Sequence, residues 1–149
     1  MEEPSVEFHQ TTGALLNRLD LAIVLAAGDG TRMKSTTAKV LHSISGRSLV
    51  GHVLHAVNET QPRDIRVVVG AQHSLVTEHL AEIAPQAKTV LQEKRNGTGH
   101  AVRLALQTSE VSGTVLVTAG DTPLLTGTTL NELLAEHIAA QAVATVLTA

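Results

Sequence analysis

Residues 21–39 have the sequence LAIVLAAGDGTRMKSTTAK, an apolar run that ends in a glycine-rich turn with cations after it. The apolar, β-branched run predicts a buried strand, and Gly28 and Gly30 predict a tight turn behind it. Arg32 and Lys39 follow the turn. Free backbone N–H groups in such a loop, with cations nearby, suit an anion and above all a phosphate chain. The stretch therefore predicts a nucleotide site at the end of the first strand.

Two common phosphate-binding loops do not match this stretch. The dinucleotide fingerprint requires a third glycine at the position where Met33 stands. A P-loop requires Gly-Lys-Ser or Gly-Lys-Thr after four spacer residues, and residues 21–39 contain no such triplet. A different kind of phosphate loop is therefore expected.

Apolar, β-branched runs alternate with segments of helical periodicity along the rest of the chain. The runs lie at Leu21–Leu25, Ile65–Val69, Thr89–Leu91, Thr114–Val117 and Val143–Leu147. The alternation predicts an α/β fold, a Rossmann-like and mostly parallel sheet with helices on both faces. Because the carboxyl ends of parallel strands meet at one edge, Gly28, Gln92 and Asp121 are expected to converge there.

Four helices are expected between the strands, each with one apolar face. The faces consist of Leu49, Val50, Val53, Leu54 and Val57; Leu75, Val76, His79, Leu80 and Ile83; Ala101, Val102, Ala105 and Leu106; and Leu130, Leu133, Leu134, His137 and Ile138. Thr129 and Glu132 predict a capping box at the last helix. Residues 1–20, with an acidic start, predict a mobile N-terminal tail, and residues 21–149 predict one nucleotide-binding domain.

Composition excludes several classes of protein. The 149 residues, 43% hydrophobic and 17% charged, suit one globular domain. A net charge of −3 without a basic run argues against a nucleic-acid partner. Without cysteine there is no disulfide, thiol nucleophile or thiolate metal site, which is compatible with a cytoplasmic location. No apolar run approaches the ~20 residues of a membrane helix, so no membrane association is expected.

Three motifs in one register make the chain resemble the sugar-nucleotide pyrophosphorylases. They are LAAGDGTRM at 25–33, QEKRNGTGHA at 92–101 and GDTPL at 120–124. The second and third are most similar to GlmU, the family of bifunctional N-acetylglucosamine-1-phosphate uridyltransferases and glucosamine-1-phosphate acetyltransferases. The resemblance covers residues 21–149 and only the N-terminal, pyrophosphorylase part. It implies a nucleotide-diphospho-sugar transferase fold, here truncated, without the trimerising acetyltransferase domain, so no oligomeric state is predicted.

The resemblance also assigns site residues. Arg32 and Lys39 would be catalytic, because fixed cations stabilise the charge that develops on phosphate oxygens. The nucleotide would be bound by Leu25, Ala26, Ala27, Gly28, Lys39, Gln92, Gly97, Thr98, Ala119, Gly120 and Asp121. The family has proline where this chain has Ala38, and the loop before Lys39 is therefore expected to be looser.

Three of these residues also carry an interpretation of their own. Asp121 follows a buried strand and suits Mg²⁺, which needs only one or two protein carboxylates beside phosphate oxygens; a turn cap is the alternative. Gln92 has an amide that donates and accepts, which favours recognition of uracil. Thr98 begins a helix, where free N–H groups suit a base or ribose, or it is simply the N-cap.

The reaction that the resemblance implies converts UTP and N-acetylglucosamine 1-phosphate to UDP-N-acetylglucosamine and pyrophosphate, a step in peptidoglycan precursor synthesis. The cofactor would be Mg²⁺. The alternatives are a pyrophosphorylase for another sugar nucleotide, a molybdopterin guanylyltransferase-like enzyme, and a truncated UTP-binding chain with little or no activity. The resemblance places the second metal ligand and the sugar contacts beyond residue 149.

Overall fold

The computed structural model describes residues 19–28, 37–70, 73–94 and 96–148 of the chain. In chain order the elements are β1 (Leu19–Ala26), a 3-10 helix (Lys39–Leu41), β2 (Ser43–Ile44), β3 (Arg47–Ser48), α1 (Leu49–Asn58), β4 (Asp64–Val69), α2 (His73–Ile83), β5 (Lys88–Leu91), α3 (Thr98–Gln107), β6 (Thr114–Ala119) and α4 (Gly127–Ala139). Within the described ranges, no helix has both the length and the apolarity needed to cross a membrane.

A parallel sheet forms the centre of the fold. Its strand order is β5-β4-β1-β6, and Ile23 of β1 pairs with Arg66 of β4 on one side and Val117 of β6 on the other. Every residue of β1 is buried except Leu25, which is half-buried. Burial on both faces is typical of parallel sheets, whose strands are near-continuous apolar runs. The predicted fold class is thus confirmed, and so are the first four predicted strands.

Helices cover both faces of the sheet, but unequally. The larger core joins one face to α1, α2 and α4 through side chains that include Val53, Leu80 and Leu130. The smaller core lies under α3, whose Ala101 and Ala105 let the helix approach the sheet closely. Each fully buried Val, Leu or Ile side chain of the two cores contributes about 1.5–3 kcal/mol to the stability of the fold. The core is aliphatic, in agreement with a composition that is 1% aromatic.

The prediction of a fifth strand at Val143–Leu147 was wrong. These residues are not in a strand, and Val143 and Val146 are 103% and 79% exposed. A strand requires a backbone partner, and this segment does not pair with the outer strand β6. Apolar, β-branched composition therefore predicted a strand where the required pairing is missing.

Two predictions about the helices also need correction. Leu75 and Ile83 were expected on the packed face of α2, but they are 52% and 43% exposed, and Val76 and Leu80 form the buried stripe. The predicted capping box at Thr129 was misplaced. Helix α4 begins earlier, and Thr126 is its N-cap, with Oγ1 accepting a hydrogen bond from the Thr129 backbone N–H at 3.2 Å.

The strand β1 begins at Leu19, two residues before the predicted start of the domain at Leu21. Leu19 and Asp20 are buried, and residues 1–18 lie outside the described part of the chain. The Asp20 carboxylate accepts hydrogen bonds from the backbone N–H groups of Ser112 and Gly113, both at 2.7 Å, and from Ser112 Oγ at 3.0 Å. Asp20 thereby joins β1 to the turn before β6.

This carboxylate makes folding stability depend on pH. The backbone hydrogen bond from Ser112 is the main cause that lowers the pKa of Asp20, and Gly113 and Arg63 add to it. A lowered pKa in the folded state adds stability above the pKa of the unfolded chain, and the stability is lost as pH falls through the folded value. We expect the urea unfolding midpoint of the wild type to be higher than that of Asp20→Asn at neutral pH. The two midpoints should converge in acid. A constant difference down to strongly acidic pH would contradict this role.

Candidate nucleotide site

The carboxyl edge of the sheet brings together the predicted loops. Gly28 follows β1, Gln92 follows β5 and Asp121 comes two residues after the end of β6. Since β5 and β6 are the outer strands, the ends of these two strands are roughly 14 Å apart, three inter-strand spacings of about 4.8 Å. The end of β1 lies between them. The edge therefore has a polar amide at one end and a charged contact at the other.

Lys39 and Asp121 form the charged end of this edge. The Lys39 Nζ atom lies 2.5 Å from Asp121 Oδ2, and the two side chains are 37% and 32% exposed. The contact joins segments 82 residues apart in sequence. Lys39 is the first residue of the 3-10 helix, and Asp121 belongs to the turn after β6. A cation and a carboxylate, both partly open to solvent, thus lie together at the carboxyl end of β6.

Ala38, the position at which the resemblance implies proline, has φ −53° and ψ 134°. A proline ring would impose a φ of about −65°, so the alanine already has a proline-like backbone. Its side chain is 6% exposed, and burial helps to hold this conformation. The expected loosening before Lys39 is therefore not seen at Ala38 itself.

The end of β1 offers mainly backbone to a ligand. Ala26 is 5% exposed and belongs to the larger core, whereas Gly28 is exposed and no atom of a described residue lies within 4 Å of where a Cβ would stand. Open space at a glycine leaves room for a ligand to approach the chain. The other predicted cation, Arg32, lies outside the described residues.

At the end of β6, Gly120 brings Asp121 beside β1. The Gly120 backbone N–H donates to Leu25 O at 2.8 Å, and a Cβ on Gly120 would lie 3.0 Å from the same oxygen. Glycine at this position therefore has a packing reason, whether or not a ligand contacts it. Ala119, by contrast, is exposed at the last position of the strand.

Gln92 marks the other end of the edge, and it is 4% exposed. Its Nε2 atom lies 3.1 Å from Gly97 O and 3.0 Å from His100 Nδ1. Gly97 has a φ of +85° and is the N-cap of α3, a conformation that favours glycine. Thr98 is therefore the first helical residue, and the alternative that it serves as the N-cap was wrong.

Sequence reasoning missed Gly70, which follows β4 between the two ends of the edge. A Cβ on this residue would lie 2.7 Å from the backbone oxygen of Ala27. The chain can pass the β1 loop this closely only because residue 70 lacks a side chain. The available signal was a glycine directly after the strand Ile65–Val69, where a turn or a close backbone approach is common.

Replacement of Gly70 by alanine is expected to destabilise the fold by about 1–3 kcal/mol, because the new methyl group would push against the backbone of Ala27. Urea unfolding measures this loss. Gly99→Ala is the matched control, since a Cβ there meets no atom of the described ranges within 4 Å, and it lies in helix α3, where alanine gains up to about 1 kcal/mol. Equal stability of the two variants would show that the contact at Ala27 is unimportant.

A groove in the described part of the chain runs beside β6 and reaches this edge only at Ala119 and Thr122. It has a volume of about 860 Å³ and lies between β6, α4 and residues 143–147. Its lining is mainly apolar and includes Val117, Leu133 and Val146. Lys39, Gln92 and Asp121 do not line it. We therefore locate the candidate site by the Lys39–Asp121 contact and the buried Gln92 amide, and not by the volume of this groove.

Comparison with known proteins places the chain among nucleotidyltransferases. The bifunctional protein GlmU of Streptomyces coelicolor is 57% identical over 129 residues, which are 85% of this chain and 27% of GlmU. The chain thus spans about a quarter of the length of the curated relatives it matches. The predicted resemblance to the pyrophosphorylase part of GlmU is confirmed.

Solved structures show the same fold. Rv0371c from Mycobacterium tuberculosis H37Rv superposes with a TM-score of 0.69 at 21% identity, over 83% of this chain and 62% of that one. A structure of the same protein in complex with manganese gives 0.67 at 21% identity, over 81% and 60%. Residues 22–149 match the family described as the MobA-like NTP transferase domain. The chain therefore belongs to the family of MobA-like NTP transferase domains.

Proposed function

We propose that this chain carries the nucleotide-binding part of an enzyme that forms UDP-N-acetylglucosamine and pyrophosphate from UTP and N-acetylglucosamine 1-phosphate. The contact between Lys39 and Asp121 carries the proposal, because it joins a cation and a carboxylate at the edge where all three motif loops lie. The 57% identity with GlmU supports the choice of substrates. In this proposal the protein acts in the cytoplasm, on precursors of peptidoglycan.

The residues at this edge fit Mg²⁺. Asp121 already has a cation on one carboxylate oxygen, the ammonium group of Lys39 at 2.5 Å. In the described ranges, no group of three or more His, Cys, Asp or Glu side chains could hold a metal. Mg²⁺ commonly uses one or two protein carboxylates and takes its other ligands from phosphates and water. The donor set thus suits a metal that arrives with a triphosphate.

The reaction is an in-line substitution at phosphorus. An oxygen of the sugar phosphate attacks the α-phosphorus of UTP, and the bond from that phosphorus to the oxygen bridging to the β-phosphate breaks, releasing pyrophosphate. Lys39, together with Arg32, would stabilise negative charge on the phosphate oxygens. Asp121 would hold the metal, which when bound supplies charge neutralisation and orientation of the phosphates. The loop from Leu25 to Gly28 would hold the nucleoside through its backbone.

The Gln92 end of the edge would bind the base. Gln92 is almost fully buried, and the helix α3 begins beside it at Thr98. The first N–H groups of a helix have no partner within the helix, so Gly97 and Thr98 can contact base or ribose. Ala119 and Gly120 would then lie near the phosphates, at the Asp121 end. The substrates thus extend along the edge from β5 to β6.

A turnover assay combined with a melting assay tests the proposal. The purified chain is mixed with UTP, Mg²⁺ and N-acetylglucosamine 1-phosphate, and pyrophosphate release is followed beside the shift in melting temperature caused by UTP. Release of pyrophosphate supports the full reaction. A shift without release would favour the alternative that this chain binds UTP but does not turn it over. No shift would refute the nucleotide site itself.

A further inference from the structure

The amide of Gln92 has its nitrogen end fully used by the protein. An amide Nε2 has two hydrogens and no acceptor capacity. One hydrogen faces Gly97 O at 3.1 Å and the other faces His100 Nδ1 at 3.0 Å. Because a backbone carbonyl only accepts, Gly97 O favours the nitrogen end of the amide over the oxygen end on its side. The orientation of the amide therefore follows from its neighbours.

His100 must then accept through Nδ1, which requires the neutral imidazole with its proton on Nε2. The opposite tautomer would present an N–H at Nδ1 and would favour the flipped amide, with Oε1 toward the histidine. Gly97 O and His100 Nδ1 thus accept the two hydrogens of Gln92 Nε2. Of these two acceptors, only the histidine can become a donor, by carrying its proton on Nδ1. The imidazole is half-buried on the first turn of α3, so its ring position is set by the helix.

The oxygen end of the amide remains for a ligand. No described residue donates a hydrogen bond to Gln92 Oε1. Among the described residues, the one fully buried side-chain polar atom without a partner is His42 Nε2, so Gln92 Oε1 is not an atom of that kind. Oε1 can only accept. At the carboxyl end of β5 it would offer a lone pair, and no proton, to the edge of a bound base.

We propose that His100 is a positioning residue that fixes the Gln92 amide with Oε1 toward the base and thereby selects uracil over cytosine. Uracil has an N3–H that donates to such an oxygen, whereas N3 of cytosine has a lone pair that the oxygen would repel. A flipped amide would reverse the preference, because Nε2 would donate to cytosine N3. The inference rests on the proposed function, since it needs a pyrimidine nucleotide at this edge.

The test compares the affinities of UTP and CTP for the full chain with Mg²⁺, measured by calorimetry. His100→Leu removes the acceptor, and we expect the ratio of UTP to CTP affinity to fall roughly fivefold to tenfold, about the effect of one hydrogen bond. His100→Asn is the matched control, because its Oδ1 can accept where Nδ1 does, and it should keep most of the ratio. An unchanged ratio in His100→Leu would overturn the inference.

A nucleotide-free measurement separates this inference from the proposed function. Nitrogen-15 NMR of the wild-type imidazole at neutral pH should show the Nε2–H tautomer of His100. The Nδ1–H tautomer would overturn the inference by itself, whatever nucleotides bind. If wild type binds neither UTP nor CTP while the tautomer is as expected, the proposed function fails and the selection of uracil fails with it. If UTP binds and only the ratio is insensitive to His100→Leu, the proposed function survives alone.

Discussion

Replacement of Lys39 by methionine is expected to weaken UTP binding and, without nucleotide, to strengthen binding of a divalent cation. The ammonium group would contact phosphate oxygens, and one charge-assisted hydrogen bond contributes about 1.5–3 kcal/mol, so affinity for UTP should fall about tenfold to a hundredfold. Without UTP the same group lies 2.5 Å from Asp121 Oδ2 and competes with a metal ion for that oxygen. Its removal should free the carboxylate.

The second effect is smaller, because the pair is about one-third exposed. Ion pairs of this kind contribute at most about 1 kcal/mol, which limits the gain in cation affinity to about fivefold. Electron paramagnetic resonance with Mn²⁺ measures the nucleotide-free affinity, and calorimetry measures UTP. Weaker UTP binding together with stronger Mn²⁺ binding would identify a specific role of Lys39, because a general loss of folded protein would weaken the binding of both ligands.

Lys88→Met is the matched control. Lys88 also lies near an aspartate, with 4.0 Å from Nζ to Asp64 Oδ2, but at the start of β5 and therefore at the other end of the sheet. It is 69% exposed, so the substitution removes the same charge without touching the candidate site. Neither UTP nor Mn²⁺ affinity should change in this variant. Equal effects of the two substitutions would indicate a response to net charge and contradict a specific role for Lys39.

Much of the fold follows from local patterns in the sequence. Leu21–Leu25 and Ile65–Val69 were predicted as strands from apolar, β-branched runs, and both lie in the sheet because its two faces are covered. Val143–Leu147 has the same composition and is not a strand. Composition reports the preference of a segment, whereas pairing depends on a partner elsewhere in the chain. Prediction therefore failed where the partner was missing.

The site shows the same division between local and long-range information. The parallel-sheet rule predicted that Gly28, Gln92 and Asp121 share one edge, and the strand order places them there. It could not predict that Lys39 touches Asp121, because that contact depends on how the 3-10 helix packs, 82 residues away in sequence. The close approach of Gly70 to Ala27 likewise depends on two neighbouring backbones. Such contacts are set by packing and carry little local signal.

Replacement of Asp121 by asparagine is expected to remove the metal dependence of UTP binding. In the wild type, Mg²⁺ should increase the shift in melting temperature caused by UTP, because a metal held by Asp121 and phosphate oxygens couples the two ligands. An amide keeps the shape of the side chain but lacks the negative charge. The shift measured with Mg²⁺ should therefore equal the shift measured with EDTA, and any pyrophosphate release should fall by at least about a hundredfold.

The variant also tests what the aspartate does in the fold. Loss of a partly exposed ion pair with Lys39 should cost at most about 1 kcal/mol, so unfolding in urea should change little. Glu132→Gln removes a charge from an exposed position of α4, and it should leave the difference between Mg²⁺ and EDTA intact. If Asp121→Asn kept that difference while Lys39→Met still weakened UTP binding, Asp121 would only hold the lysine in place, and the metal would have to bind through other groups.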